Sequence, residues 1–224
     1  MAKVVLLWNE HPSENVGGYH ARRCAELLRK KGHEVVIEKV PFTDTIHGKL
    51  LAGTPRQAAE AFAQEHVRNL SNRRLIAEYE KKHGAPVFSF HTTPCDAWGE
   101  PSNTPPEKFN VWVGSDEGDD RHCSDEIQFY RRNNNYYVEL PAVYHEISGI
   151  QNRRKRLNEV TNELIGLVGP YRYHQMAEHS PIYHLLVSKI RGPEQKKYLD
   201  PAITEKIAAA IDELISNRAG KKQE

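Results

Sequence analysis

Two periods of hydrophobic spacing alternate along this 224-residue chain. "KVVLLW", residues 3–8, is a short apolar run, the pattern of a strand buried on both faces. Behind it, Val16, Tyr19, Cys24, Leu27 and Leu28 recur close to helical spacing over 16–31. "KKGHEVVIEKV" then supplies a glycine stop and predicts a second strand over 34–40. Strand, helix and strand in this order imply a parallel pair with a right-handed crossover. Residues 55–83 are helix-rich, with Thr54 as cap, Pro55 in the first turn and Gly84 as the stop, and the segment is expected to break or end near Ser71 if Asn72 and Arg73 serve a site together. "APVFSFH", "FNVWVG" and "YYVEL" predict three further strands, and residues 94–108 a Pro-rich loop. Between the last two strands, "DEGDDRHCSDEIQFYRRNNN" is polar and predicts partial helix. "DPAITEKIAAAIDELISNR" predicts a closing helix, capped by Asp200, with Ile203, Ile207, Ile211 and Leu214 on one face.

Alternating strands and helices predict an α/β fold: a three-layer sandwich whose mostly parallel or mixed central sheet carries helices on both faces. No repeat or composition break divides the chain, so residues 1–224 are expected to form a single α/β domain, with 155–224 as a mainly helical C-terminal part.

Composition narrows the function classes. A net charge of +1 gives no bulk attraction to nucleic acid or to an acidic membrane. No apolar run approaches the roughly 18 residues of a membrane helix, and "VVLLW" is too short for a signal-peptide core. A cytoplasmic protein is expected. Cys24, Cys95 and Cys123 form an odd set without CxxC spacing, which argues against a disulfide framework. Cys95 and Cys123 have no evident base partner for nucleophilic catalysis. Twelve histidines invite a metal hypothesis.

Ligands of open α/β sheets gather at the carboxyl ends of the strands. His11 and Glu14 follow the first strand in "NEHPSENVGGYHARR", His91 follows "PVFSF", and Glu139 follows "YYV". Parallel strands bring these four to one edge. His, Glu and His form a zinc ligand set that leaves a position for water, whose pKa the metal lowers to roughly 7. A separate carboxylate is then needed to take the water's proton, and Glu139 is the candidate. Each position also has a plainer reading. HxxE recurs by chance, His91 can be a packed histidine, and Glu139 can pair with one of the many arginines.

The order of these residues resembles the zinc carboxypeptidase superfamily, especially its aspartoacylase and succinylglutamate desuccinylase branch. There a strand is followed by HxxE, a distant His completes the metal site, and a catalytic Glu lies on a late strand. "SFHTT" is similar to the His-x-Thr half of the family's D-x-H-x-T context. The family's Asn-Arg pair, which grips a substrate carboxylate, has its counterpart in Asn72 and Arg73 of "NLSNRR". An upstream Arg polarises the scissile carbonyl, a place that Arg68 or Arg56 can fill. The chain departs from the pattern at HPSE for HGNE, at Ser89 for the Asp two residues before the third ligand, and at Pro141 for a Gly. The resemblance covers roughly residues 3–141. It implies a Zn²⁺-dependent hydrolase of an amide bond, acting on a peptide or N-acyl amino acid that bears a carboxylate.

Two other readings stand beside this one. "GGYHARRCAELLRKKGHEVVIE" resembles the opening of nucleotide-sugar glycosyltransferases, where a Gly-Gly turn lets phosphate approach a helix N-terminus. Such enzymes need a second comparable domain, for which this chain leaves little room. A non-catalytic α/β binding module is the third. "QNRRKR", 151–156, reads as an exposed basic helix start.

Overall fold

The computed structural model describes residues 1–9, 15–40, 52–68, 72–94, 104–115, 126–142, 144–146, 150–179, 188–190 and 196–220. Eight strands run through them: β1 (Lys3–Trp8), β2 (Glu34–Lys39), β3 (Val87–Pro94), β4 (Asn110–Ser115), β5 (Glu126–Arg132), β6 (Asn135–Ala142), β7 (Tyr144–Glu146) and β8 (Ser188–Ile190). The helices are α1 (Asn15–Lys30), α2 (Pro55–Arg68), α3 (Asn72–His83), α4 (Ile150–Val168), α5 (Pro170–His179) and α6 (Pro201–Gly220).

β1 to β6 form one sheet in the order β2-β1-β3-β6-β5-β4. Every neighbouring pair is parallel except β5 with β6. The fold is therefore an α/β sandwich on a mixed, mostly parallel sheet. β7 and β8 pair separately. The central strands of the sheet are largely apolar on both sides because helices cover both. On one face Val4, Leu6, Phe88, Phe90, Val138 and Phe129 pack under α1 and α6. On the other, Val5, Leu7, Val87, Tyr130 and Tyr137 pack with Ile76 of α3. A third apolar cluster joins α2 to α4 through Ala58, Ala59, Phe62, Val160 and Leu164.

The helix signals in the sequence work as local chemistry. Thr54 Oγ1 accepts from the Gln57 N–H at 3.2 Å while Gln57 Oε1 accepts from the Thr54 N–H at 3.0 Å, a reciprocal capping box. Asp200 Oδ1 accepts from the Ala202 N–H at 2.8 Å and opens α6. Gly32 and Gly84 stop α1 and α3 at φ of 88° and 61°, a backbone state that side chains resist.

Two expectations need correction, and a third is met. The polar stretch before "NNN" is not helical where it is described: residues 126–132 form β5, because Ile127 and Phe129 alternate with Gln128 and Tyr130 at the strand period. The helix-rich stretch 55–83 is two elements, α2 ending at Arg68 and α3 starting at Asn72, the interruption that a joint site for Asn72 and Arg73 calls for. β3 does not end before His91 but continues to Pro94, since Phe88 to Pro94 stay in register with β6.

Candidate functional site

The chain passes from β1 outward to β2 and returns to β3 on the other side, so β1 and β3 flank a topological switch. Sheets of this kind bind ligands outside the carboxyl ends at such a point. Asn9 stands immediately after β1 there, buried, at φ 70°. A short amide side chain tolerates that left-handed state, and Asn9 Nδ2 donates to the Val40 carbonyl at 2.9 Å, tying the ends of β1 and β2 together. The connection from β1 to α1 carries His11 and Glu14, which lie outside the described residues.

His91 is placed on β3 directly opposite Glu139 on β6, and Glu139 directly opposite Gln128 on β5. One pair below, Ser89, Tyr137 and Tyr130 line up in the same way. Directly opposite side chains share a face, so these rows lie together on the α3 side of the sheet. The His91 ring is 6% exposed. Its Nε2 lies 3.2 Å from Ser89 Oγ, and its ring centroid 5.5 Å from that of Tyr137. Ser89 thus touches the imidazole. Glu139 is half-buried at the next strand. Gln128 is buried, and its Oε1 accepts a 2.6 Å hydrogen bond from the Tyr130 hydroxyl. An imidazole beside a carboxylate, with an amide one strand further, can exchange protons and hold a polar ligand.

The residues expected to form a carboxylate clamp fall on two helices. Arg68 closes α2, and Asn72 and Arg73 open α3. Arg56 sits in the first turn of α2, bonded to Glu60 at 2.8 Å and within 3.5 Å of Glu163 on α4. Those two carboxylates hold its guanidinium above its ordinary pKa, the Glu60 hydrogen bond contributing most. Cys95 and Cys123 lie outside the described residues. Cys24 is buried and its thiol is pushed up by loss of water, which suits an inert packing residue.

The sequence reading missed Gln128, Tyr130 and Tyr137 as site neighbours. For Gln128 and Tyr130 the signal existed: the alternation "EIQFY" marks a strand. Its register opposite Glu139 is visible only in the fold.

The Gly-Gly pair at the start of α1 has a packing explanation. A side chain on Gly18 would lie 2.3 Å from the Trp8 ring, and one on Gly17 would lie 3.1 Å from the Phe90 carbonyl oxygen. The glycines let α1 close on β1 and β3, and phosphate approach is not needed to account for them. Arg22 and Lys39 then sit over the Trp8 ring at 4.9 and 5.5 Å from its centroid.

Two other described histidines serve the scaffold. His33 Nε2 bonds Asp212 at 2.8 Å, and His83 Nε2 bonds Glu38 at the same distance. The basic start of α4 uses Arg156 to bond the Gly53 carbonyl. No helix among the described residues is long and apolar enough to cross a membrane. Comparison with protein-family models, with curated proteins and with solved structures finds no match to this chain.

Proposed function

We propose that this protein is a zinc-dependent cytoplasmic hydrolase that cleaves an amide bond in a carboxylate-bearing small molecule or peptide. One observation carries the reading: a buried His91 lies in register with Glu139 on adjacent parallel strands, beside the switch between β1 and β3. A half-buried carboxylate on such a strand must be paired or in use.

The donor chemistry fits zinc in part. Among the described residues no three His, Cys, Asp or Glu side chains are grouped to hold a metal ion. The ligand set His11, Glu14 and His91 therefore draws two members from the connection that follows β1. A hydrogen-bonded imidazole such as His91 with Ser89 is the usual form of a metal-ligating histidine, its second nitrogen oriented by a neighbour. Zinc held there supplies a water with a pKa of roughly 7. Glu139 takes a proton from the attacking water and returns it to the departing amine. Asn72 and Arg73 are the candidates to hold the substrate carboxylate, for which a guanidinium fork is suited, and Arg68 the candidate to polarise the scissile carbonyl.

Elemental analysis of the purified chain, with a screen of N-acyl amino acids and short peptides, tests this. About one zinc per chain, consistent with a single three-ligand site, and release of a free amine are expected. A chain that neither carries nor takes up zinc ends the reading.

A further inference from the structure

β4 closes one side of the sheet, and among the described residues it pairs with β5 alone. Its six residues, Asn110–Ser115, carry no charge. Val111 and Val113 are 38% and 45% exposed. They stand opposite Ile127 and Phe129 of β5, which are fully buried. Both valines thus extend the apolar face under α1 and α6 to the rim of the sheet. Trp112 packs on the other face, where its ring occupies the space that a Gly114 side chain would take. The opposite rim is built differently. β2 carries Glu34, Glu38 and Lys39, with Lys3 bound to Glu34 and both Lys82 and His83 bound to Glu38. Charged side chains on a rim strand deter pairing with another strand, and β4 has no such guard.

We propose that β4 pairs antiparallel with β4 of a second copy of this chain, about a two-fold axis through Trp112. Val-Trp-Val reads the same in both directions, as a contact that must match itself requires. With Trp112 opposite its own copy, Val111 stands opposite the partner's Val113, and Val113 opposite the partner's Val111. An apolar row then crosses the join from Ile127 through Val111 to the partner's Val113 and Phe129, and the two-fold axis repeats it. β-Branched side chains paired directly across strands stabilise a sheet. No like charges meet along the six-residue contact. On the other face each Trp112 ring lies along its own strand over Gly114, and antiparallel strands carry the two rings in opposite directions. Neighbouring registers fit worse. Centring on Val113 sets Val111 against Ser115. Centring on Val111 sets Val113 against Phe109, which is already buried beside Tyr198.

Sedimentation of the full chain over a concentration series reads the assembly, and a dimer is expected. Val111→Lys and Val113→Lys each replace an exposed side chain, so circular dichroism should stay unchanged while the dimer is lost. Cysteine pairing reads the register separately, in chains that carry Cys95→Ser and Cys123→Ser. A mixture of Val111→Cys chains with Val113→Cys chains should form a disulfide-linked pair. Directly opposite residues of antiparallel strands have Cα atoms about 4.5–5.5 Å apart, within disulfide reach. Either variant by itself should link far less, since its cysteine then faces valine. A chain that is monomeric at every concentration overturns the proposal and leaves this rim to a strand of another protein. A dimer that both lysine variants leave intact overturns it too, as does a mixture that links no better than either variant by itself.

Discussion

His20 on α1 and Thr204 on α6 lie 2.7 Å apart, imidazole Nδ1 to hydroxyl, and His20 Nε2 lies 2.6 Å from the Tyr198 carbonyl oxygen. The carbonyl can only accept, so Nε2 carries the proton. Burial favours the neutral ring, and in that form Nδ1 is the acceptor toward the Thr204 hydroxyl. Burial moves its pKa down from 6.5 to about 4, against a smaller upward pull from the Tyr198 carbonyl.

This arrangement makes the join between α1 and α6 sensitive to acid. The unfolded chain binds a proton at His20 near pH 6.5, and the folded chain not until about 4. Stability is therefore complete above the higher value and falls as pH drops between the two, by roughly 3 kcal/mol at most. Asp212 and Glu38 have pKa values below the usual carboxylate range, held there first by hydrogen bonds from Lys31 and Lys82 and next by His33 and His83. Their contributions are lost only at lower pH, below their unfolded values. Urea unfolding at pH 7 and pH 5 should show the His20 loss, and His20→Gln should flatten it. An equal slope in that variant removes His20 as its source.

Gly17 and Gly18 should respond differently to alanine. Gly18→Ala drives a methyl into the Trp8 ring and should cost about 1–3 kcal/mol. Trp8→Val should relieve most of that cost. Gly17→Ala meets the backbone of the central strand β3, so the same Trp8 change should not help it. A double-mutant cycle by chemical denaturation measures the difference, and equal coupling in both cycles rejects this packing account.

Asn135 opens β6 and joins two elements. Its Oδ1 accepts from the Val87 N–H at 2.8 Å and its Nδ2 donates to Glu80 on α3 at 2.6 Å. Asn135→Ala strands a buried backbone donor and should cost about 1–3 kcal/mol. A loss well under that range in thermal unfolding shows that water replaces the amide.

Metal content and activity should separate His91 from Glu139. His91→Ala should lose most bound zinc, while Glu139→Gln should keep it and lose activity by a factor on the order of 10² or more. Full activity of the glutamine variant excludes Glu139 from proton transfer.

The carboxylate clamp predicts a selective effect. With Asn72 and Arg73 at the first turn of α3 rather than inside a longer helix, Arg73→Ala should raise KM for substrates with a free carboxylate and spare those with a blocked one. Equal changes for both classes would point to a loss of folding or of general access instead.

Local patterns determined much of the architecture. The apolar run at 3–8, the Gly32 and Gly84 stops, the Thr54 and Asp200 caps and the isoleucine face of α6 each act within a few residues, so the sequence alone carries them. The α/β class and the mostly parallel sheet follow from their alternation. β5 was hidden because the polar residues before it masked a short period-two signal. Only the tertiary structure decided what stands beside what. A side chain's neighbour across a sheet depends on register, and register is set by how whole strands bury their faces and turns. That is why His91 could be named from its place in the chain, while its contact with Ser89, its alignment with Glu139 and the presence of Gln128 one strand beyond belong to the assembled sheet.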